Sequence, residues 1–224
     1  MSNKKLASLL PEFLILLIAL VPLGHAESKR TDHFNRPDGP PGFGWSVWGA
    51  GAQINSDRLE TFGEIDVAGG IARTLRVPFP IAFSFDFSTN TPLDGGWLVG
   101  FNALAENIIV AEDTSEIELR QASGSRALCT VFQTAEGPSE ECAKPVDGQR
   151  DYTAMAHITG LIKDDFSALV KIRYNDGQIP AVVTIRTNAP VDAVKEPEGS
   201  IFWFGNMNES TGPHFFDNIS LISK

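Results

Sequence analysis

The stretch Ile81-Ala82-Phe83-Ser84-Phe85-Asp86-Phe87 sets large apolar side chains at its odd positions and small or polar ones at its even positions. A period of two marks a strand that buries one face. No sustained period of 3.6 follows residue 26. Instead, short alternating or apolar runs fall at 45–48, 53–59, 71–77, 81–87, 97–102, 108–111, 117–121, 127–133, 152–162, 167–174, 181–187, 200–204 and 215–222. Turn residues separate them every ~8–12 positions, the spacing of an all-β sandwich. About a dozen strands exceed the needs of a seven-stranded immunoglobulin domain. Two larger, stacked antiparallel sheets would use them.

Several connections can be read directly. The run 169–174 (LVKIRY) ends at Asn175-Asp176-Gly177, a hairpin signal because Gly accepts φ > 0 cheaply, and AVVTIRT returns as its partner. Residues 188–199, with Pro190, Pro197 and several charges, read as an exposed loop. The segment 161–166 fits either a helical turn or a loop. Cys129 and Cys142 are the only cysteines, and an even count in a secreted chain reads as one disulfide. Gly137-Pro138 between them signals a turn. The expectation is a stapled hairpin.

Secretion is itself an expectation from the first residues. Lys4 and Lys5 precede the apolar run 13–21, and Gly24-His25-Ala26 supplies a small-x-small cleavage pattern. The run is shorter than the roughly 20 residues a membrane helix needs. Residues 1–26 are therefore expected to be a signal peptide, with 27–224 as one domain, extracellular or periplasmic and without a membrane span. Removing Lys4, Lys5 and Glu12 from 18 basic and 28 acidic residues leaves 16 and 27, a net charge of about 11 negative. With no cluster of Lys or Arg, nucleic acid and anionic membrane are poor partners.

Two stretches at opposite ends carry a family resemblance. Asp32-His33-Phe34-Asn35-Arg36-Pro37-Asp38-Gly39, followed by Gly44-Trp45, resembles the D-x-F-N-R-x-D-G…G-W opening of concanavalin A-like lectin/glucanase and laminin G-like domains. Phe215-Phe216-Asp217-Asn218-Ile219-Ser220-Leu221 is similar to their closing strand. The resemblance implies a concanavalin-like jelly roll whose first and last strands pair. It also implies a structural calcium ion, with Asp32, Asn35 and Asp217 matching the oxygen ligands such an ion requires. The alternative role for Asp32 is to cap a turn, and for Asp217 to accept from nearby backbone.

Gly63-Glu64-Ile65-Asp66-Val67-Ala68-Gly69-Gly70 resembles half of the catalytic strand of family 16 glycoside hydrolases. In that comparison Glu64 would be nucleophile and Asp66 its helper. The acid/base carboxylate should stand at 68 or 69, where Ala68 and Gly69 are found, and Glu60 is about 13 Å away at strand rise. Paired-carboxylate hydrolysis needs about 5–5.5 or 6.5–9.5 Å. The stretch reads instead as a strand edge running into a glycine turn. Ser123-Gly124-Ser125 lacks the frame of a nucleophile elbow. His157 alternates with apolar neighbours and reads as a satisfied strand residue.

Sugars stack their C–H faces on aromatics while Asp, Asn and Arg bind the hydroxyls. Trp97 beside Asp94, and Trp203 near Asn206 and Asn208, offer that combination at strand ends, against the alternative that these tryptophans fill the core. The sequence thus points to a secreted, disulfide-stapled β-sandwich that binds extracellular glycan without catalysis. A divergent glycoside hydrolase or polysaccharide lyase, and an adhesion module that binds protein, are the competing readings.

Overall fold

The computed structural model describes residues 28–63, 68–77, 79–90, 96–101, 115–122, 125–143, 152–179, 181–193, 199–206 and 212–223. Among them are fifteen strands and no helix. In chain order these are β1 (Ser28–Asp32), β2 (Ser46–Gly49), β3 (Ala52–Asn55), β4 (Arg58–Thr61), β5 (Gly69–Val77), β6 (Ile81–Thr89), β7 (Trp97–Phe101), β8 (Ser115–Ala122), β9 (Ser125–Thr134) and β10 (Gly137–Cys142). The remaining five are β11 (Ala156–Ile162), β12 (Ala168–Arg173), β13 (Val182–Thr187), β14 (Gly199–Asn206) and β15 (His214–Ser223).

Two antiparallel sheets stack as a sandwich. The first runs β13-β12-β11-β6-β15-β4-β3, and the second β10-β9-β8-β7-β14-β5-β2. The alternation read in the sequence at 81–87 is the alternation of burial in β6, where Ile81, Phe83, Phe85 and Phe87 are at most 3% exposed. Phe85 closes the core by meeting Trp97 and Phe204 of the other sheet, ring centroids 5.3 and 5.7 Å away. Edge-to-face pairs of this kind add to what the burial of so much apolar area already contributes.

The terminal strands do pair: β15 lies beside β6 on one edge, while its other edge holds β4 at His214–Phe216 and then β1 at Ile219–Ser223. The change of partner coincides with a bulge. The β15–β6 register shifts between Asp217 and Ser220, and Asn218 takes φ 51°. A bulge adds one residue and flips the alternation of faces. Phe216 and Ile219 consequently both reach the core, and Asp217 faces outward opposite Asp86.

Cys129 and Cys142 are bonded and stand directly opposite each other on β9 and β10. Thirteen residues of separation correspond to about 3 kcal/mol in the chain-entropy model. The turn itself is Ala135-Glu136, and Gly137-Pro138 begins β10. Pro138 is tolerated there because β10 is an edge strand.

Four other expectations need correction or limits. The single strand expected at 53–59 is a hairpin, β3 and β4 joined at Ser56-Asp57, both at positive φ. Its turn carries no glycine, so the usual signal is missing. Gly69-Gly70 is not a turn: it opens β5 between β14 and β2, and a Cβ on Gly70 would stand 2.0 Å from the Phe204 carbonyl oxygen. The 161–166 segment ends β11 and then makes a loop, with Phe166 donating its N–H to the Lys163 carbonyl at 2.9 Å. Glu64, Asp66 and the strand expected at 108–111 lie outside the described residues.

Candidate functional site

After β1 the chain from Asp32 to Trp45 folds back on itself around one carboxylate. Asp32 Oδ1 accepts the Phe34 N–H at 2.8 Å and Arg36 Nη1–H at 2.7 Å. Its Oδ2 accepts Arg36 Nη2–H at 3.1 Å and the Trp45 indole N–H at 2.8 Å. Burial alone would push this carboxyl up, but the bonds from Arg36, Phe34 and Trp45, with the guanidinium charge, outweigh it and hold Asp32 below the usual carboxylate range. The Arg36 plane is in turn placed over the rings of Phe34 and Phe43, 5.0 and 4.8 Å from the centroids.

Phe43 is presented outward by local backbone geometry. Gly42, Phe43 and Gly44 all have positive φ, and the Trp45 N–H closes the turn on the Gly42 carbonyl at 3.0 Å. The ring is 74% exposed. From the second sheet β5 contributes Arg73, one residue past the last β2 pair Ser46↔Ala72, with its guanidinium 5.6 Å from the Trp45 ring centroid. Asp32, Asn35, Arg36, Phe43 and Arg73 thereby line an open recess of about 350 Å³ where the two sheets meet.

A second polar group covers the outer face of the first sheet. Asp86 is in register with His157 on one side and Asp217 on the other. His157 Nδ1 bonds Asp86 Oδ1, the Asn218 amide donates to Asp86 Oδ2 at 2.7 Å, and His33 Nδ1 meets Asn218 Oδ1 at 2.6 Å. His157 is thus a strand residue with a carboxylate partner. Burial pushes the Asp217 carboxyl up and the Asp86 charge adds to that. The Asn218 N–H at 2.7 Å, His33 and Arg58 only partly oppose the rise.

The residues expected to hold calcium are not gathered. Asp32 pairs with core-facing Ile219, whereas Asp217 points to the opposite face beside Asp86. Both Asp32 oxygens are already occupied by four N–H donors, which a cation would have to displace. Asp32 is therefore the turn-organising residue of the alternative reading, and Asp32, Asn35 and Asp217 do not fit a shared ion. Among the described residues the one trio of ligand-type groups is Cys129, Glu140 and Cys142, and both sulfurs are spent in the disulfide.

The expected sugar platforms are divided as well. Trp97 and Asn206 are brought together as a cross-strand pair, but both are fully buried on the inner face. A ring with no exposed surface offers no stacking face. Trp203 lies on the outer face of the second sheet, resting on Gly100 and in edge contact with Trp48 at 5.0 Å, with 5% of its surface exposed. Asp94 and Asn208 lie outside the described residues. Sequence reasoning gave no role to Arg36, Phe43 or Arg73. The Gly-Phe-Gly-Trp run was the available signal for Phe43. For Arg73 there was none, since strand pairing alone brings it to Trp45.

No protein family or curated sequence matches this chain. Solved structures do. Lectin II from Ulex europaeus aligns with a TM-score of 0.61 at 10% identity, over 88% of this chain and 99% of that one. The Lotus tetragonolobus seed lectin gives 0.59 at 12%, over 88% and 100%. The exoplasmic/lumenal domain of VIP36, in a form bound to Ca²⁺ and Man3GlcNAc, gives 0.53 at 12%, over 80% and 83%. The fold is therefore the concanavalin A-like jelly roll of these lectins.

Proposed function

We propose that this chain is a secreted, noncatalytic, lectin-like module that binds extracellular glycan. The observation that carries the reading is the recess at the sheet seam. It combines an outward aromatic ring, Phe43, with hydrogen-bonding groups from Asn35 and Arg73, the apolar-plus-polar makeup of a sugar site. It stands on a fold that lectins also use, and VIP36 carries a bound oligosaccharide on that fold. Trp203, on the outer face of the second sheet, is a second candidate contact, and Asp94 and Asn208, outside the described residues, remain candidates from the sequence alone. Structural calcium, implied by the sequence resemblance, would draw its oxygens from outside the Asp32, Asn35 and Asp217 set. A chelator that lowers Tm reports an ion bound to the folded state.

The test is a glycan array probed with the secreted protein and with Phe43→Ala and Trp203→Ala. Retention of one glycan class, weakened by Phe43→Ala, is the expected result. Retention of no glycan sinks the proposal. Shortening of an oligosaccharide during incubation would replace it with hydrolase or lyase activity.

A further inference from the structure

The charge of the recess is at odds with the charge of the chain. The sequence holds 28 acidic residues against 18 basic ones, so a surface guanidinium has carboxylates in excess to choose from. Arg73 nevertheless has no ion-pair or hydrogen-bond partner among the described residues. The one carboxylate lining the same recess, Asp32, is bonded bidentately to Arg36 and turned toward Trp45 and the Phe34 N–H. Arg36 is thereby neutralised and fixed in place, while the charge of Arg73, beside an exposed ring, has no counter-charge paired to it among the described residues.

Arg73 is also held rather than free to wander. Its guanidinium packs over Trp45 and lies alongside Gly44, where a Cβ would stand in ordinary van der Waals contact with its Nη2 at 3.6 Å. A planar fork of donors, preorganised on an aromatic face, matches an oxyanion bidentately. The Phe43 ring, braced from one side by Arg36 at 4.8 Å, supplies an apolar face in the same recess, and Asn35 an amide. At about 350 Å³ the recess is at the small end of ligand sites, which span about 300–1,000 Å³.

Resting on the glycan-binding reading, we propose that this recess is specific for an acidic saccharide: Arg73 takes the anionic group, a ring carboxylate or a sulfate ester, while the sugar face stacks on Phe43. Neutral sugars lose the charge-assisted pair. Polyanions without an apolar ring face meet the repulsion of a chain with a formal net charge of -10 and gain nothing from Phe43.

The test is titration calorimetry of the secreted protein with three probes of equal length: a uronate trisaccharide, a sulfated neutral trisaccharide and the unmodified neutral trisaccharide. At least one acidic probe should bind about tenfold or more tightly than the neutral one, weakening as salt rises. The two acidic arms distinguish carboxylate from sulfate. Arg73→Gln, which removes the charge and the guanidinium fork while keeping a polar amide, should abolish that preference without shifting Tm, and Arg73→Lys should restore part of it. Phe43→Ala, at a position 74% exposed, should weaken binding with the fold intact. Equal binding of neutral and acidic probes, or an acidic preference that survives Arg73→Gln, overturns the proposal and leaves the lectin reading standing. Binding of no saccharide overturns both.

Discussion

Asp32 and Asp217 are the same residue type, both partly buried, on paired strands at the two ends of the chain, yet their environments act in opposite directions. Asp32 receives four N–H donors, two of them from a guanidinium. Asp217 accepts the Asn218 N–H and has another carboxylate, Asp86, directly across from it. Partial burial raises both carboxyls. The partners decide the outcome, lowering Asp32 and leaving Asp217 raised. The comparison explains why a shared ion does not suit the pair: one carboxylate has spent its lone pairs and the other lies across the sheet.

The largest effect should come from Asp32→Asn. The substitution leaves the Arg36 side chain, 15% exposed, without its anion, and removes an acceptor from the Trp45 indole. A loss of about 2–3 kcal/mol is expected. For a domain of this size that is roughly a 4–12 °C fall in Tm, measurable by calorimetry. A change below about 0.5 kcal/mol would mean that Asp32 does not organise the 32–45 turn. A double-mutant cycle sharpens the point at a smaller scale. Asp32→Asn with Arg36→Met should show a favourable coupling of about 1 kcal/mol or more, whereas Asp217→Asn with Asp86→Asn should show a coupling of opposite sign.

That contrast also separates what was legible in the sequence from what was not. The strand alternation at 81–87 was readable because burial on one face imposes a period of two, and Phe83, Phe85 and Phe87 obey it. The pairing of the terminal strands followed from the resemblance carried by Asp32–Gly39 and Phe215–Leu221, and the structure has it. The bulge at Asn218 was not readable, and it turns Asp217 to the face opposite Asp32. Gly69-Gly70 looked like a turn because glycine serves turns more often than close strand contact, yet here the Phe204 carbonyl occupies the place of a side chain. Trp203 faces outward because Phe202 and Phe204 on either side face inward, a parity argument the sequence contained. Arg73 had no such local sign, because its relation to Asp32 and Phe43 exists only through the sandwich.

The smallest effect, Asp217→Asn, is expected to carry the opposite sign. The asparagine oxygen still accepts the Asn218 N–H, and the repulsion with Asp86 is gone. Like charges directly opposite on a sheet destabilise by roughly 0.2–1 kcal/mol, so the variant should be more stable at pH 7 by several tenths of a kcal/mol. The pH windows then tell the two residues apart. A raised folded pKa means that the ionised Asp217 opposes folding above it, and that the opposition is relieved as pH falls through that value toward the ordinary 3.8. The gain from Asp217→Asn should therefore fade over a window above pH 3.8. A lowered folded pKa means that Asp32 contributes in full down to 3.8 and loses its contribution only below it, through the folded value. The deficit of Asp32→Asn should persist across the window in which the gain of Asp217→Asn disappears. Denaturant titrations of the two variants at a series of pH values from 7 downward check this. If both differences from the parent protein fade over the same pH range, the two carboxylates are not held apart by their hydrogen bonds, and their opposite environments do not set their opposite roles.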